Sequence, residues 1–270
     1  MFYKVDLVSQ IRKLGIQQGD ILLVHSSMKA IGEVEGGADT VLDALTEAVC
    51  GQDAGMLVLP THTWATMTKE HDVYDPDVEP ACVGILPNLF MKRTGVVRSL
   101  HPTHSVAAYS KVDGLAKQFV SGEEKFTTPC NRNGCYGKLY DMDAKILLLG
   151  VGLNRNTYMH GVEEWFGITE RLTDETLKLT IRIPVDMVEP IKDMNQQHHD
   201  TYNLDVEMHK HFKPNNISIS ENYVRLEQTF MDEGALLKGM IGDAECMLMS
   251  AQGIADITTE HLKMNRDYFL

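Results

Sequence analysis

Cysteine is scarce in this chain, and its five residues are spaced too irregularly to form a recognisable framework. No Cys-x-x-Cys pair occurs, which removes the usual signature of zinc knuckles and redox motifs. The first residues, 1–6, lack the apolar core of a signal peptide, and no uncharged apolar run approaches membrane-spanning length. These absences predict a cytoplasmic protein with reduced thiols and no membrane partner.

Nucleotide-binding signatures are missing as well. The pair Gly36-Gly37 precedes a helical pattern and could form a phosphate-binding turn, but no Lys-Ser or Lys-Thr follows it as in a Walker A loop. No Gly-x-Gly-x-x-Gly occurs where a Rossmann domain would need it. A diphosphate group could still bind at this turn, but the common dinucleotide and P-loop fingerprints are absent.

Basic residues are in the minority. Lysine and arginine number 25 against 38 aspartates and glutamates, so the formal net charge is −13. A surface of this sign disfavours nucleic acid and anionic membranes, and it attracts a cationic small molecule. An acidic balance is also common among soluble proteins, so the charge alone does not identify a partner.

The chain reads as an α/β protein of one domain, residues 1–270, without internal repeats or a clear linker. Three short apolar runs of strand length, at 21–24, 56–59 and 146–149, alternate with helical patterns. We predict a mixed, largely parallel central sheet flanked by helices. A C-terminal hairpin over 236–249 and a terminal helix over 251–268 complete the expected fold.

Polar side chains follow the predicted strands where each strand ends. His25-Ser26-Ser27 follows the first strand and Thr61-His62-Thr63 follows the second. Because open α/β sheets bind ligands at the carboxyl edge of their strands, these groups are candidates for a ligand site. They could equally cap the turns that follow. His101 and His104 flank a Pro-Thr turn, and hydrogen bonds to nearby backbone are expected there rather than a zinc ion.

The stretch Asn156–Trp165 follows the third strand and can form a short helix capped by Asn156 or Thr157. His160 and Glu163 are three residues apart and therefore share a face of that helix. Spacing alone is equally compatible with a solvated helix that carries an incidental histidine.

Several motifs, taken together and in order, resemble the aminoglycoside 3-N-acetyltransferase family. The matching stretches are Leu-Val-His-Ser-Ser-Met-Lys-Ala-Ile-Gly at 23–32 with Gly36-Gly37, Arg-Ser-Leu-His-Pro-Thr-His-Ser-Val-Ala-Ala at 98–108, Gly-Lys-Leu-Tyr at 137–140, Ile-Leu-Leu-Leu-Gly-Val-Gly at 146–152, Asn156-Thr157 with His160 and Glu163, and Gly-Met-Ile-Gly-Asp-Ala at 239–244. The chain departs from the family before residue 137, where members often carry Ser-Pro.

The resemblance implies direct transfer of an acetyl group from acetyl-CoA to an amine, the 3-amino group of an aminoglycoside, without an acyl-enzyme and without a metal. By motif position it implies His160 as general base, Glu163 as its helper and His25 at the edge of the site. The positions implied to hold CoA are Ser26, Ser27, Ile31, Gly32, Thr61 and Thr128. A neutral imidazole is a suitable acceptor for the amine proton, and a nearby carboxylate would stabilise the imidazolium that forms.

The acidic loop, residues 69–80, would meet the cationic acceptor through Asp72, Asp75 and Asp77, unless it is simply a solvated loop. A polar tract over 193–205, which includes His198 and His199, is expected to be a solvated loop. The acceptor could instead be a non-antibiotic amine. Two other classes remain open: a catalytically inactive binding protein, and a metal-dependent hydrolase using His62, His101, His104, His160 and Glu163. A homo-oligomer is possible.

Overall fold

The structure, a computed structural model, describes residues 1–168, 171–184, 195–198, 201–211 and 218–270. The strands among these residues are β1 (Ile21–Ser26), β2 (Met56–Pro60), β3 (Val73–Tyr74), β4 (Val97–Arg98), β5 (Val106–Tyr109), β6 (Lys145–Leu149), β7 (Leu177–Pro184), β8 (Asn195–His198), β9 (Thr201–Met208), β10 (Leu236–Ile241) and β11 (Ala244–Ser250). The α-helices are α1 (Lys4–Leu14), α2 (Gly37–Val49), α3 (Ile85–Phe90), α4 (Leu115–Val120), α5 (Cys135–Asp141), α6 (Thr157–Trp165), α7 (Glu227–Asp232) and α8 (Ala251–Met264).

A seven-stranded mixed sheet forms the centre of the molecule, in the order β10-β11-β6-β1-β2-β5-β4. β1 pairs in parallel with both β6 and β2, so that Leu23 lies between Ile146 and Val58. The outer pairs, β11 on β6 and β5 on β2, are antiparallel. The predicted mixed α/β class is confirmed, and in the described chain the parallel part of this sheet is its three central strands.

Both faces of this sheet are buried, which explains why its central strands are apolar at every position. Leu22 and Val24 of β1 pack with the apolar faces of α1, α2 and α3. Leu23, on the opposite face, packs with the core that includes α5, α6 and α8. Burying one such leucine or valine contributes about 1.5–3 kcal/mol. Because both faces are apolar, the register of β1 depends on the fit of its side chains in the two cores rather than on an alternation of polar and apolar residues.

The predicted hairpin and terminal helix are confirmed as β10, β11 and α8. β10 and β11 are antiparallel and are joined at Gly242-Asp243. α8 begins at the Ser250 cap, whose hydroxyl accepts a hydrogen bond from the Gly253 amide, and it ends at Met264. No helix within the described ranges is long and apolar enough to cross a membrane.

A second sheet, in the order β3-β7-β9-β8, lies outside the predicted architecture. The sequence of 177–183 alternates apolar and polar residues, which predicts a half-buried strand. β7 confirms this, since its alternate residues are buried around a small apolar core. The polar tract 193–205 is not a plain loop: β8 and most of β9 fall within it. Its polar residues suit a half-exposed strand, as where Thr180 donates to Asp205 across the β7–β9 pair at 2.7 Å. His198 ends β8, and His199 lies outside the described residues.

Candidate active site

The helix that carries His160 starts directly beyond the carboxyl edge of the central sheet. The chain leaves β6 at Gly150, whose φ of +69° and whose contact with Ala30 leave no room for a Cβ atom. A short 3₁₀ turn, Leu153–Arg155, leads to Asn156 and then to α6. α6 is not a solvated surface helix, since its Glu163 is only 1% exposed.

A tyrosine connects the two predicted catalytic residues. His160 Nδ1 lies 2.7 Å from the Tyr223 hydroxyl, and that hydroxyl donates to Glu163 Oε2, also at 2.7 Å. The direct distance from His160 Nδ1 to Glu163 Oε2 is 3.9 Å. The predicted pairing of His160 with Glu163 therefore runs mainly through the Tyr223 oxygen.

This chain of hydrogen bonds assigns the tautomer of His160. An ionised carboxylate can only accept, so Tyr223 gives its single proton to Glu163. The Tyr223 oxygen must then accept the Nδ1 proton of His160. Nε2 is left with the lone pair, which is the form that a general base requires.

Arg171 binds Glu163 at the end of this series of hydrogen bonds that lies farthest from His160. Its Nε donates to Glu163 Oε1 at 2.9 Å, and both side chains are buried, at 5% and 1% exposure. Burial raises the pKa of Glu163, while the hydrogen bonds from Tyr223 and Arg171 and the charge of Arg171 oppose this rise. Arg171 thus favours the ionised carboxylate that the tautomer assignment needs.

Five histidine rings form a continuous cluster at this edge of the sheet. His160 is stacked on His211 with ring centroids 4.1 Å apart, and His104 contacts His211, His62 and His101 at 5.1, 4.8 and 5.9 Å. The rings of His62, His101 and His104 are buried, and burial lowers the pKa of each. The strand-end polar groups at 61–63 and 101–104 therefore do meet beside His160.

Three of these histidines form hydrogen bonds with other groups of the protein. His62 Nε2 lies 2.6 Å from the Tyr136 hydroxyl, and His101 Nε2 lies 3.0 Å from the Thr128 carbonyl oxygen. His101 Nδ1 accepts the backbone N–H of His104 at 2.9 Å, as the turn prediction anticipated. Over the described ranges, no three His, Cys, Asp or Glu side chains are arranged to hold a metal ion.

His25 lies at the end of β1, where burial lowers its pKa to about 3. Its Nε2 has no hydrogen-bond partner among the described residues.

The buried position of His25 makes the free energy of unfolding depend on pH. In the unfolded chain the imidazole takes up a proton near pH 6.5, whereas in the folded protein it stays neutral down to about pH 3. The contribution of His25 to stability is therefore fully present above pH 6.5 and is lost as the pH falls towards 3. We expect wild type to lose about 2 kcal/mol more stability than His25→Leu between pH 6.5 and 5. Urea unfolding at both pH values measures the difference, and parallel losses would contradict it.

The residues assigned to CoA differ in their availability. Ser26 ends β1 and Ser27 follows it; both are partly exposed, and no side-chain hydrogen bond of theirs occurs within the described part of the chain. Thr61 is fully buried and its hydroxyl is bonded to Ser105, while the Thr128 hydroxyl donates to Glu164.

The Ile31-Gly32 turn is held against the C-terminal hairpin. Ile31 is buried, and its carbonyl oxygen accepts the Asp243 N–H at 2.9 Å. Gly32 has a φ of +84°, and a Cβ there would collide with the Asp243 carboxylate. Two further glycines, Gly36 and Gly37, open α2 with positive φ. The fold therefore builds a tight turn beside Ser27, where the CoA segment is expected.

The acidic loop is attached to the second sheet. Thr180 N donates to the Asp72 carbonyl oxygen at 2.8 Å, and Asp75 forms an ion pair with Arg182 at 3.1 Å. Asp72 and Asp77 are exposed residues. Asp75 is thus already partly neutralised, and Asp72 and Asp77 are the more exposed of the three predicted positions.

Three residues of the site were not predicted from the sequence: Arg171, His211 and Tyr223. Arg171 and His211 lie in irregular segments without a periodic signal. Tyr223 falls at the start of a segment, 221–231, that the sequence predicts as an amphipathic helix. Tyr223 is fully buried and its hydroxyl therefore needs a partner, but this burial is visible only in the folded structure.

Comparisons with known proteins match this chain to one family. A family model described as aminoglycoside 3-N-acetyltransferase matches residues 23–263. Aminoglycoside N(3)-acetyltransferase IV from a Salmonella species is 30% identical over 162 residues, which is 59% of this chain and 58% of that protein. The alignment therefore spans less than two thirds of this curated relative.

Solved structures share the fold. A histidine-to-alanine variant of the aminoglycoside acetyltransferase AAC(3)-IVa, in complex with a gentamicin, is similar with a TM-score of 0.76 at 23% identity, covering 100% of this chain and 91% of that one. AAC-IIIb in a binary complex with CoASH has a TM-score of 0.73 at 20% identity, covering 97% of each chain. These likenesses extend over both the central sheet and the C-terminal hairpin.

Proposed function

This chain belongs to the aminoglycoside 3-N-acetyltransferase family, and we propose that it transfers an acetyl group from acetyl-CoA to the 3-amino group of an aminoglycoside, with His160 as general base. The observation that carries this proposal is the buried chain of hydrogen bonds His160–Tyr223–Glu163, completed by Arg171. It gives one histidine a defined tautomer at the ligand-binding edge of an α/β sheet.

The proposed reaction uses this geometry as follows. The acceptor nitrogen attacks the thioester carbonyl carbon while His160 Nε2 accepts the proton that the nitrogen releases. The new imidazolium donates its Nδ1 proton to the Tyr223 oxygen, whose own proton points to Glu163. When the C–S bond breaks, the thiolate leaves and His160 returns the proton, so that the products are the amide and free CoA thiol.

The carboxylate of Glu163 stabilises the transient charge on His160. Two unit charges about 4 Å apart interact by about 4 kcal/mol at an effective dielectric constant of 20, and the positive charge of Arg171 beside Glu163 offsets part of that attraction. Because Glu163 and Arg171 are both buried, this interaction is weakly screened by salt. The stabilisation of His160 by the Glu163 carboxylate is therefore greatest in the transition state, where His160 becomes positively charged.

Acetyl-CoA is proposed to bind along the segment from Ser26 to Gly32. The choice of co-substrate is supported by AAC-IIIb, which shares the fold and forms a binary complex with CoASH. Ser26 and Ser27 offer hydroxyl groups, and the N-terminal turn of α2 suits a diphosphate. His25, neutral and buried beside them, supplies a ring N–H for the developing oxyanion.

The acceptor is proposed to be an aminoglycoside because AAC(3)-IVa binds a gentamicin and because this chain is strongly acidic. A non-antibiotic amine is the second candidate, favoured by the pairing of Asp75 with Arg182, which removes one carboxylate from the acceptor surface. Thiol release from acetyl-CoA, measured against a panel of aminoglycosides and simple amines, separates the two. Failure of every amine in the panel to stimulate thiol release would contradict both.

We expect neutralisation of the acidic loop to weaken binding of a cationic acceptor. The double variant Asp72→Asn/Asp77→Asn should raise KM for the acceptor about three- to tenfold at low salt and leave KM for acetyl-CoA unchanged. The increase should shrink at about 0.5 M salt, where exposed charges are screened. Steady-state kinetics at two salt concentrations measure both constants, with Asp75→Asn as the matched control. Equal changes in both KM values would point to damaged folding instead.

A further inference from the structure

His211 lies face to face with His160, but the reaction described above makes no use of it. The two ring centroids are 4.1 Å apart and the ring planes differ by only 18°. His160 remains only 14% exposed in its side chain. One face of the base is therefore covered by a second imidazole.

The backbone holds His211 in this position. His211 forms an isolated antiparallel bridge with Leu172. Next to it, Thr173 N donates to the Lys210 carbonyl oxygen at 2.8 Å, and Lys210 N donates to the Thr173 hydroxyl at 3.1 Å. Two residues before His211, the backbone N–H of His209 donates to the Thr127 carbonyl oxygen. The attachment of His211 is thus independent of His160.

One short segment supports both ends of the catalytic assembly. Residues 171–173 supply the guanidinium that binds Glu163 and also the bridge that carries His211. His211 also forms a T-shaped contact with His104, with ring centroids 5.1 Å apart and an interplanar angle of 81°. His104 is in turn bonded through Nδ1 to the Thr103 hydroxyl at 3.0 Å. His211 is therefore fixed from two directions.

We propose that His211 is a positioning residue whose flat ring holds the plane of the His160 imidazole, so that Nε2 points at the acceptor amine. This inference rests on the proposed function. The hydrogen bond from Nδ1 to Tyr223 restrains one edge of the base but still allows the ring to tilt about that bond. A flat partner 4.1 Å away blocks the tilt. Either an imidazole or a phenyl ring can block the tilt, whereas a small aliphatic side chain cannot.

The test compares His211→Ala with His211→Phe. The alanine variant should lower kcat about ten- to a hundredfold, since loss of alignment by about 1 Å has effects of that size. KM for acetyl-CoA should stay within about twofold of wild type, and the phenylalanine variant should recover kcat to within about threefold. His261→Ala, which changes a histidine of α8 bonded to the Ile257 carbonyl oxygen, is the matched control and should be unaffected.

A second readout is independent of turnover. In ¹³C-histidine-labelled protein, the ring proton signals of His160 should show a ring-current shift in wild type and in the phenylalanine variant, and lose it in the alanine variant. Normal kcat in the alanine variant, or equally low kcat in both variants, would overturn the inference. If the wild-type protein transfers no acetyl group, the proposed function is overturned. The ring-current comparison then still tests whether the His211 ring holds the plane of the His160 ring. If the alanine variant does not fold, His211→Gln takes its place.

Discussion

His160→Ala should lower kcat by about two to four powers of ten, which is the usual size of a lost general base. The attacking nitrogen must release a proton as it bonds to the thioester carbon, and Glu163 cannot take that proton directly, because it is 1% exposed and already accepts hydrogen bonds from Tyr223 and Arg171. Binding of acetyl-CoA should change little, because the proposed CoA segment lies on the turn after β1 and not on α6. Steady-state kinetics and calorimetry with CoA measure the two quantities separately.

The pH dependence gives this prediction a further check. Wild type should lose kcat/KM on the acid side as His160 becomes protonated, whereas the residual activity of His160→Ala should lack that limb. His261→Ala is the matched control, since it removes a histidine from α8 and leaves the site intact. Near-normal turnover by His160→Ala would show that another group is the base.

The general form of the site could be predicted from the sequence because it depends on local patterns. Short apolar strands place their carboxyl ends at one edge of a sheet, and the polar residues after them, such as His25 and His62, necessarily gather there. The three-residue spacing of His160 and Glu163 correctly placed both on one helical face. These inferences need only strand and helix periodicity, which the sequence carries directly.

The connection between His160 and Glu163 could not be predicted in the same way. Their atoms are 3.9 Å apart, and the Tyr223 hydroxyl completes the link from a segment 60 residues further along the chain. His211 lies just after β9, whose pairing with β7 brings the end of that strand back towards the site. Such contacts depend on tertiary packing, and neither residue type nor spacing records them.

The second sheet was missed for a physical reason. β9 is half exposed and carries polar residues such as Asp205, so its composition resembles that of a loop. Its pairing with β7 is stabilised by cross-strand contacts, including Thr180 with Asp205 and Lys178 with Glu207. Those contacts form only when β7 is in place. The sequence of 193–205 on its own has no continuous apolar face that would predict a strand.

Arg171→Met should have the largest effect on stability. The change leaves the Glu163 carboxylate buried with its charge no longer balanced, and loss of one partner of a buried pair costs about 3–5 kcal/mol. Arg93→Met is the matched control, because Arg93 pairs with Asp39 and Asp43 at the surface, where such pairs contribute about 1 kcal/mol or less. Urea unfolding at neutral pH compares the two variants.

The same substitution should also move the pH profile of the reaction. Burial already raises the pKa of Glu163, and Arg171 opposes that rise, so Arg171→Met raises it further. A protonated Glu163 donates to the Tyr223 oxygen, Tyr223 then donates to His160 Nδ1, and the remaining imidazole proton moves to Nε2. His160 cannot accept a proton in that form. The acid limb of kcat/KM should therefore shift to higher pH, with activity partly restored as the pH is raised. An unchanged limb in a folded Arg171→Met enzyme would mean that the charge state of Glu163 does not set the tautomer of His160.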